Sequence, residues 1–430
     1  MKNTFVKSTF ILLIGGFFTK ILGMIIKIVT NRLVGTEILG LYMLITPTFM
    51  LLITIAQLGF PVAISKLVAE EKNNNKNLVF SIIPISLIIN FIIMLILLFT
   101  SKYIANNLLH EPRCVYALKC IGFVLPFISI SSILRGYFFG KQRMIPHIIS
   151  NITEDVIRLI TLIIGIPIFM KNGAESVISF IILSNIISEL TSIFVLFFFL
   201  PKKFKIKKDD IIPNKKNITN ILGISIPTTS SRLIGNLGYF LEPIILTYFL
   251  IKSGYSSSYV VSEYGIITGY AMPILMLPSF FTLAISQALI PIVSKGYSSG
   301  KKEYTKKKIK QGIIFSLVIG IPSTILFMLI PDIFLKLVYN TSEGVNYIKF
   351  MAPVFLLHYI QAPLSSSLQA MGKARDSMFG TILGVSSKLI TLIIGCNLKI
   401  GLWGLILSTC VNIIVVTMYD FLKVKKALKQ

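Results

Sequence analysis

Four basic residues lie deep inside long apolar stretches of this sequence: Lys20, Arg158, Arg232 and Lys388. A charge near the centre of a bilayer costs about 2.5–3.5 kcal/mol on insertion scales, so such a residue usually has a functional role. At a rise of about 1.5 Å per residue, each lies roughly 16–22 Å along its stretch, near the middle of a hydrocarbon core about 30 Å thick. Because each half of the chain carries two of them, the pattern predicts a shared basic cavity that binds an anion.

Arg158 also has an ordinary structural explanation. Glu154 and Asp155 precede it by four and three residues, which is the spacing of an ion pair along a helix. Lys388 has no acid at the same two positions, so no carboxylate is expected beside it. On this reading Lys388 is the stronger of the two candidates for anion binding.

Further polar residues accompany these cations. Lys27 follows Lys20 by seven residues on the same predicted helix face, so it extends the basic cavity, although it is close enough to the end of its stretch to reach the interface. Three uncharged residues are predicted to support the cavity or to form hydrogen bonds between helices. They are Asn236, Gln57 and Gln287.

The acids of the apolar stretches are few. Glu189 stands alone in NIISELTS, where it could neutralise a cation of its own bundle or act as a coupling site for H⁺ or Na⁺. Glu154 and Asp155 are candidates for the same two roles. The sequence has no P-loop, HExxH or GxSxG motif, and its three His are scattered. We therefore expect neither an enzyme nor a resident metal or cofactor, and the sequence leaves coupling to Na⁺ or H⁺ open.

The elements that position these residues are membrane spans. Mean hydropathy is +0.82, and charged residues make up 14% of the chain, against about 25% in soluble domains. Crossing the hydrocarbon needs about 20 apolar residues, which the chain supplies repeatedly. The predicted spans are 5–30, 39–64, 78–100, 117–139, 146–170, 176–200, 218–250, 264–293, 311–333, 349–371, 377–396 and 402–422.

Internal similarity divides these spans into two halves. RLITLIIG (158–165) and KLITLIIG (388–395) share seven of eight letters, and FPVAIS (60–65) resembles FTLAIS (281–286) at a similar offset. Because six spans per half is an even number, the second half starts on the same side as the first. The predicted fold is an all-α polytopic membrane protein with about 12 transmembrane helices, arranged as two parallel six-helix bundles, 1–205 and 206–430, around a central cavity.

The basic residues outside the spans indicate the orientation. The chain carries a net charge of +25, and roughly two thirds of its Lys and Arg lie at the N-terminus and in alternate loops, including KKFKIKK (202–208) and KKEYTKKKIK (301–310). Excess Lys and Arg mark the cytoplasmic side, so both termini are expected inside, in the cytoplasmic membrane. These basic runs lack a nucleic-acid motif and interleaved aromatic residues, and are better explained by anionic lipid headgroups.

Two segments resemble a known family. GTEILGLYMLITPTFMLLITIAQLGFPVAISKLVAE (35–70) and ISSILRGYFFGKQRMIP (130–146) are similar to the stage V sporulation protein B group. This group belongs to the polysaccharide-flippase branch of the multidrug/oligosaccharidyl-lipid/polysaccharide exporter (MOP) superfamily. The resemblance implies alternating access, with cationic cavity residues at positions comparable to Lys20, Lys27 and Arg232. Some relatives have fourteen helices, whereas this chain is predicted to have twelve.

The resemblance also implies a substrate. It would be an anionic undecaprenyl-diphosphate-linked sugar such as lipid II, carried for cortex or wall peptidoglycan by a monomer that works beside the enzymes of peptidoglycan synthesis. The alternatives are a cation-coupled multidrug exporter of the same fold, a carrier of another lipid-linked polysaccharide unit, a membrane sugar transferase and a scaffold without transport activity. A drug exporter would be expected to use acids for its cationic drugs, whereas bases dominate the middle of these spans.

Overall fold

The computed structural model describes residues 2–70, 76–201 and 215–429, and in these ranges every regular element is helical. An apolar chain in lipid must satisfy its backbone N–H and C=O groups internally, which a helix does within one segment. The chain forms two compact units, Met1–Phe240 and Leu241–Gln430. The predicted boundary at 205/206 and the basic run 202–208 lie outside the described residues.

Among its described residues, the first unit contains seven α-helices and the start of an eighth. They are α1 (Lys2–Gln57), α2 (Phe60–Glu70), α3 (Lys76–Phe80), α4 (Ile82–Tyr103), α5 (Val115–Gly140), α6 (Met144–Phe169), α7 (Ala174–Phe198) and α8 (Lys215–Lys252). The boundary between the two units falls inside α8.

The second unit contains the end of α8 and eight further helices. They are α9 (Ser257–Gly265), α10 (Met272–Met276), α11 (Ser279–Ser298), α12 (Lys302–Leu329), α13 (Pro331–Tyr339), α14 (Val345–Ala370), α15 (Ala374–Asn397) and α16 (Trp403–Lys429). A π-helical turn, Ile266–Ala271, joins α9 to α10.

All twelve predicted spans coincide with helical segments, but their ends differ. Spans 5–30 and 39–64 belong largely to one element, α1, which bends at Gly35, where φ is 70° and ψ is 170°. Only glycine adopts this conformation easily, since it has no Cβ. Over the described residues, nine helical stretches are long and apolar enough to cross a membrane. Helix α6 is not among them, because Glu154, Asp155 and Arg158 interrupt its apolar sequence.

The second span of each half is broken at an equivalent place. In the first half the helix stops at Gln57 and α2 starts at Phe60, the first residue of FPVAIS. In the second half the predicted span 264–293 is interrupted at Pro278, just before α11 and its FTLAIS motif. Gly59 lies at the first break with φ +63°, and a Cβ there would be 2.8 Å from the Ser225 carbonyl oxygen.

The two similar octets have the same role in their own units. In both, the first residue is half-buried, and Leu162 and Leu392 are buried at equivalent positions. The final glycine lies against the following helix. A Cβ on Gly165 would collide with the ring of Phe180 in α7, and one on Gly395 would lie 2.7 Å from the Cα of Gly404 in α16. Close helix packing therefore requires a glycine at the end of each octet.

Candidate functional site

Three helices of the first unit bring together two arginines and two glutamates, here called the four-charge cluster: Arg135, Glu154, Arg158 and Glu189. The Glu154 carboxylate bridges the two arginines. It contacts the Nη2 atom of Arg135 from α5 and accepts a hydrogen bond of 2.7 Å from the Nη2 atom of Arg158, one turn further along α6. The ion pair that the sequence allowed between Arg158 and Glu154 is therefore present.

Glu189 of α7 completes this cluster. Its Oε2 atom lies 3.7 Å from Nη2 of Arg135 and accepts a hydrogen bond from the Ser131 hydroxyl. Arg135 also donates to the Ser192 hydroxyl at 2.7 Å. Of the two roles that the sequence left open for Glu189, neutralising a cation of its own unit agrees with this geometry.

The cluster is buried and internally neutral. Both carboxylates are buried, and the two guanidinium groups are no more than a quarter exposed. Removing charges from water is costly, and only paired charges with further hydrogen bonds recover that cost. The serines of α5 and α7 supply those hydrogen bonds. The cluster therefore ties α5, α6 and α7 together.

Lys20 and Lys27 lie on α1, and both are exposed. The six residues between them, ILGMII (21–26), are apolar apart from Gly23, and the exposed rings of Phe17 and Phe18 precede Lys20 in the chain. Within the described ranges, no carboxylate forms an ion pair with Lys27. Gly23, between the two lysines, has no atom within 4 Å of the place where its Cβ would be, so this stretch of α1 borders open space. Both ammonium groups are therefore accessible to a ligand.

Arg232 lies on the part of α8 that belongs to the first unit, and it is exposed. In the part of the chain that the structure describes, it has no ion-pair partner. Asn236, one turn later, donates a hydrogen bond of 2.6 Å to the Thr54 hydroxyl of α1. Asn236 therefore fixes α8 against α1, and Arg232 stands four residues before that contact.

The second unit pairs Lys388 with an acid, contrary to the sequence-based expectation. Its Nζ atom contacts Oε2 of Glu242, which lies on α8 and is only 3% exposed. The Tyr264 hydroxyl donates to the other oxygen of Glu242 at 3.4 Å. The expectation that Lys388 has no acid beside it is wrong, because it considered only residues on the same helix.

The remaining predicted residues are distributed along the helices of both units. Gln57 is half-buried at the end of α1, and Gln287 is exposed on α11. Asp155 is half-buried on α6, and among the described residues it forms no ion pair. The structure therefore joins Glu154, Arg158 and Glu189 in one cluster but leaves these three residues outside it.

Sequence reasoning missed the central member of the four-charge cluster, Arg135. It lies near the end of the predicted span 117–139, and nothing on its own helix identifies Glu154 or Glu189 as partners. One signal was available: Arg135, Glu154 and Glu189 are among the few ionisable residues in neighbouring spans of one bundle. Spans that are adjacent in sequence often pack together, so their buried charges are expected to meet.

Comparisons of the sequence with known proteins give consistent results. The family described as polysaccharide biosynthesis protein matches residues 5–297, and the MatE family matches residues 233–394. Stage V sporulation protein B of Bacillus subtilis is 36% identical over 99% of this chain and 85% of its own length. Lipid II flippase MurJ of the same organism is 23% identical over 99% of this chain and 83% of its own length.

Solved structures show the same fold. An inward-facing multidrug resistance MATE family transporter of the MOP superfamily matches with a TM-score of 0.77 at 17% identity, over 96% of this chain and 94% of the transporter. Lipid II flippase MurJ in an inward closed conformation matches with a TM-score of 0.72 at 18% identity, over 97% of this chain and 89% of that protein. These likenesses establish the all-helical, multi-pass membrane architecture.

Proposed function

Since the chain belongs to the polysaccharide biosynthesis protein family, within the multidrug/oligosaccharidyl-lipid/polysaccharide exporter superfamily, we propose that it is a flippase for an anionic lipid-linked sugar. The observation that carries this proposal is the 36% identity to stage V sporulation protein B across 99% of the chain. Members of this family are transporters, and the chain is not an enzyme. Its expected substrate is an undecaprenyl-diphosphate-linked precursor such as lipid II.

The exposed cations of the first unit support an anionic headgroup. Lys20 and Lys27 of α1 and Arg232 of α8 are exposed, whereas Arg158 is half-buried beside Glu154. Ammonium and guanidinium groups form charge-assisted hydrogen bonds with phosphate oxygens, which are stronger than neutral ones. We therefore assign diphosphate binding to these three residues, while the polyprenyl tail stays in the hydrocarbon.

Transport proceeds by alternating access in this proposal. The headgroup binds from the cytoplasmic side, the protein changes conformation, and the headgroup is released outside while the tail remains in the membrane. Both termini lie in the cytoplasm, on the side of the basic loops. The protein works as a monomer beside the enzymes of peptidoglycan synthesis, and the driving force, whether the membrane potential, Na⁺ or H⁺, is left open.

The test is translocation of a lipid-linked sugar by the purified protein in vesicles. Lys20→Ala and Arg232→Ala should each lower the initial rate about tenfold or more, since a hydrogen bond to a charged group contributes about 1.5–3 kcal/mol. Lys336→Ala is the matched control, because Lys336 is an exposed lysine already paired with Asp332 on α13. The control should flip at the unmodified rate.

Two results would contradict the proposal. Unchanged flipping in Lys20→Ala and Arg232→Ala, together with loss of drug resistance in cells, would indicate a multidrug exporter. No translocation by the unmodified protein would indicate a scaffold. The lipid-linked glycan that accumulates in a deletion strain would identify the substrate, and accumulation of a glycan other than lipid II would redirect that assignment.

A further inference from the structure

The second unit contains a cavity of about 340 Å³ beside the first turns of α14 and α16. It is formed by side chains from three segments: the end of α9, the residues before and within the first turn of α14, and the first residue of α16. Nothing in the proposed flippase mechanism uses this cavity. Its volume falls at the lower end of the range for small-molecule sites.

Two aromatic rings form a corner of the cavity. The rings of Tyr347 and Trp403 have centroids 5.3 Å apart and are inclined at 71° to each other. Phe350 also packs against Trp403, with centroids 5.4 Å apart and an angle of 83°. Rings held nearly perpendicular in this way form two walls of fixed orientation, as in the aromatic cages that bind cationic groups.

Two carboxylates line the same cavity. Glu263 accepts a hydrogen bond from the Tyr347 hydroxyl, and Glu343 is exposed at its edge. None of the residues that line the cavity is Lys or Arg, and among the described residues neither glutamate forms an ion pair. In a chain with a net charge of +25, a cavity with two unneutralised acids is a local reversal of charge.

We propose that this cavity binds an organic ammonium group. The aromatic corner attracts a cation through the negative faces of its rings, and the two carboxylates supply the opposite charge. A neutral sugar would leave both carboxylates unneutralised. A bare metal ion fits less well, since the described residues include no group of three or more His, Cys, Asp or Glu that could hold one. The inference goes beyond the flippase proposal and does not depend on it.

Trp403 makes the test direct, because it is the only tryptophan in the chain. Choline is titrated into the purified full-length protein, and the tryptophan emission is recorded. The control ligand is 3,3-dimethylbutan-1-ol, which has the same shape as choline without the charge. Choline should change the emission in a saturable way, and the neutral alcohol should not.

Glutamine variants of the two glutamates then test whether their negative charges contribute to choline binding. Glu343→Gln should weaken choline binding about tenfold, because it removes a charge-assisted contact. This residue is exposed, so folding should be unaffected. Glu263→Gln should have a similar effect. Glu303→Gln is the matched control, since Glu303 is a highly exposed glutamate at the start of α12, outside the cavity, and it should bind like the unmodified protein.

Several outcomes would overturn the proposal. These are no saturable response to choline, an equal response to the neutral alcohol, and unchanged choline affinity in both glutamine variants. A response to N-acetylglucosamine in place of choline would indicate a carbohydrate site. Each of these results can be obtained whether or not the protein flips a lipid, so failure here and failure of the proposed function are distinguishable.

Discussion

Lys388 of α15 contacts Glu242 of α8, a residue 146 positions earlier in the chain. The pair is largely buried, with side-chain exposures of 19% and 3%. In the first unit Arg158, the equivalent of Lys388 in the repeated octet, contacts Glu154 on its own helix. Both units therefore neutralise the cation that opens the octet, but they take the acid from different places in the fold.

Removing the acid of the second unit should destabilise the protein. Glu242→Gln leaves the Lys388 charge buried without a carboxylate, which costs about 3 kcal/mol or more. Adding Lys388→Met should restore most of this loss, because the unpaired charge disappears. Thermal unfolding of the purified protein in detergent measures both effects. Asp332→Asn is the control, since its pair with Lys336 is exposed to water and an exposed pair contributes little to stability. An equal loss of unfolding free energy in Glu242→Gln and Asp332→Asn would show that the buried pair stabilises the protein no more than the exposed pair does.

Within the four-charge cluster, Arg135 should contribute more to the free energy of unfolding than Arg158 does. Arg135 contacts both glutamates, whereas Arg158 contacts only Glu154. Arg135→Met should therefore lower the free energy of unfolding by about 3 kcal/mol. The loss in Arg158→Met should be smaller by about 1 kcal/mol or more, since Arg135 still contacts both glutamates, whereas Arg135→Met leaves Glu189 without an arginine.

The same cluster allows a coupling test. Glu189→Gln in the Arg135→Met background should recover part of the lost stability, because it removes the Glu189 carboxylate that Arg135→Met leaves buried without an arginine. Arg135→Lys should not restore the original stability, since an ammonium group cannot reach two carboxylates and Ser192 with the planar geometry of a guanidinium. Equal losses for Arg135→Met and Arg158→Met, measured by the same unfolding assay, would refute the central position of Arg135.

The glycine that ends the second octet should be intolerant of a side chain. In Gly395→Ala the new Cβ would lie 2.7 Å from the Cα of Gly404, so two backbones must separate. We expect a loss of about 2 kcal/mol in thermal unfolding. Gly223→Ala on α8 is the matched control. No atom lies within 4 Å of its Cβ position, so the better helix propensity of alanine should leave stability unchanged or raise it by about 1 kcal/mol. Similar losses in both variants would rule out the packing explanation.

Patterns local to the chain predicted most of the fold. The long apolar stretches predicted twelve spans, all of which coincide with helical segments, and nine helical stretches of the described residues are apolar enough to cross a membrane. The repeated octets predicted equivalent helices, α6 and α15, in the two halves. The breaks at Gly59 and Pro278 were not predicted, because the apolar sequence continues through both of them. Helix interruption depends on a few backbone angles, which hydropathy does not record.

In the candidate site, too, the sequence predicted contacts within one helix but not contacts between helices. The pair Glu154–Arg158 could be predicted, since its members lie one turn apart on one helix. Lys20, Lys27 and Arg232 were identified as accessible cations for an anion, and their function stays a prediction. Arg135 was missed, and the acid beside Lys388 was not predicted, because the partners of both residues come from other helices.

Hydropathy and internal repetition are properties of consecutive residues, so they suffice to predict an all-helical, multi-pass membrane protein with two similar halves. Which buried charges neutralise one another, and which cations are exposed, depends on how the helices pack together. The free energy of a charge in an apolar environment depends on atoms within a few ångströms in space. For Lys388 the nearest acid in space is Glu242, which is far from it in the chain.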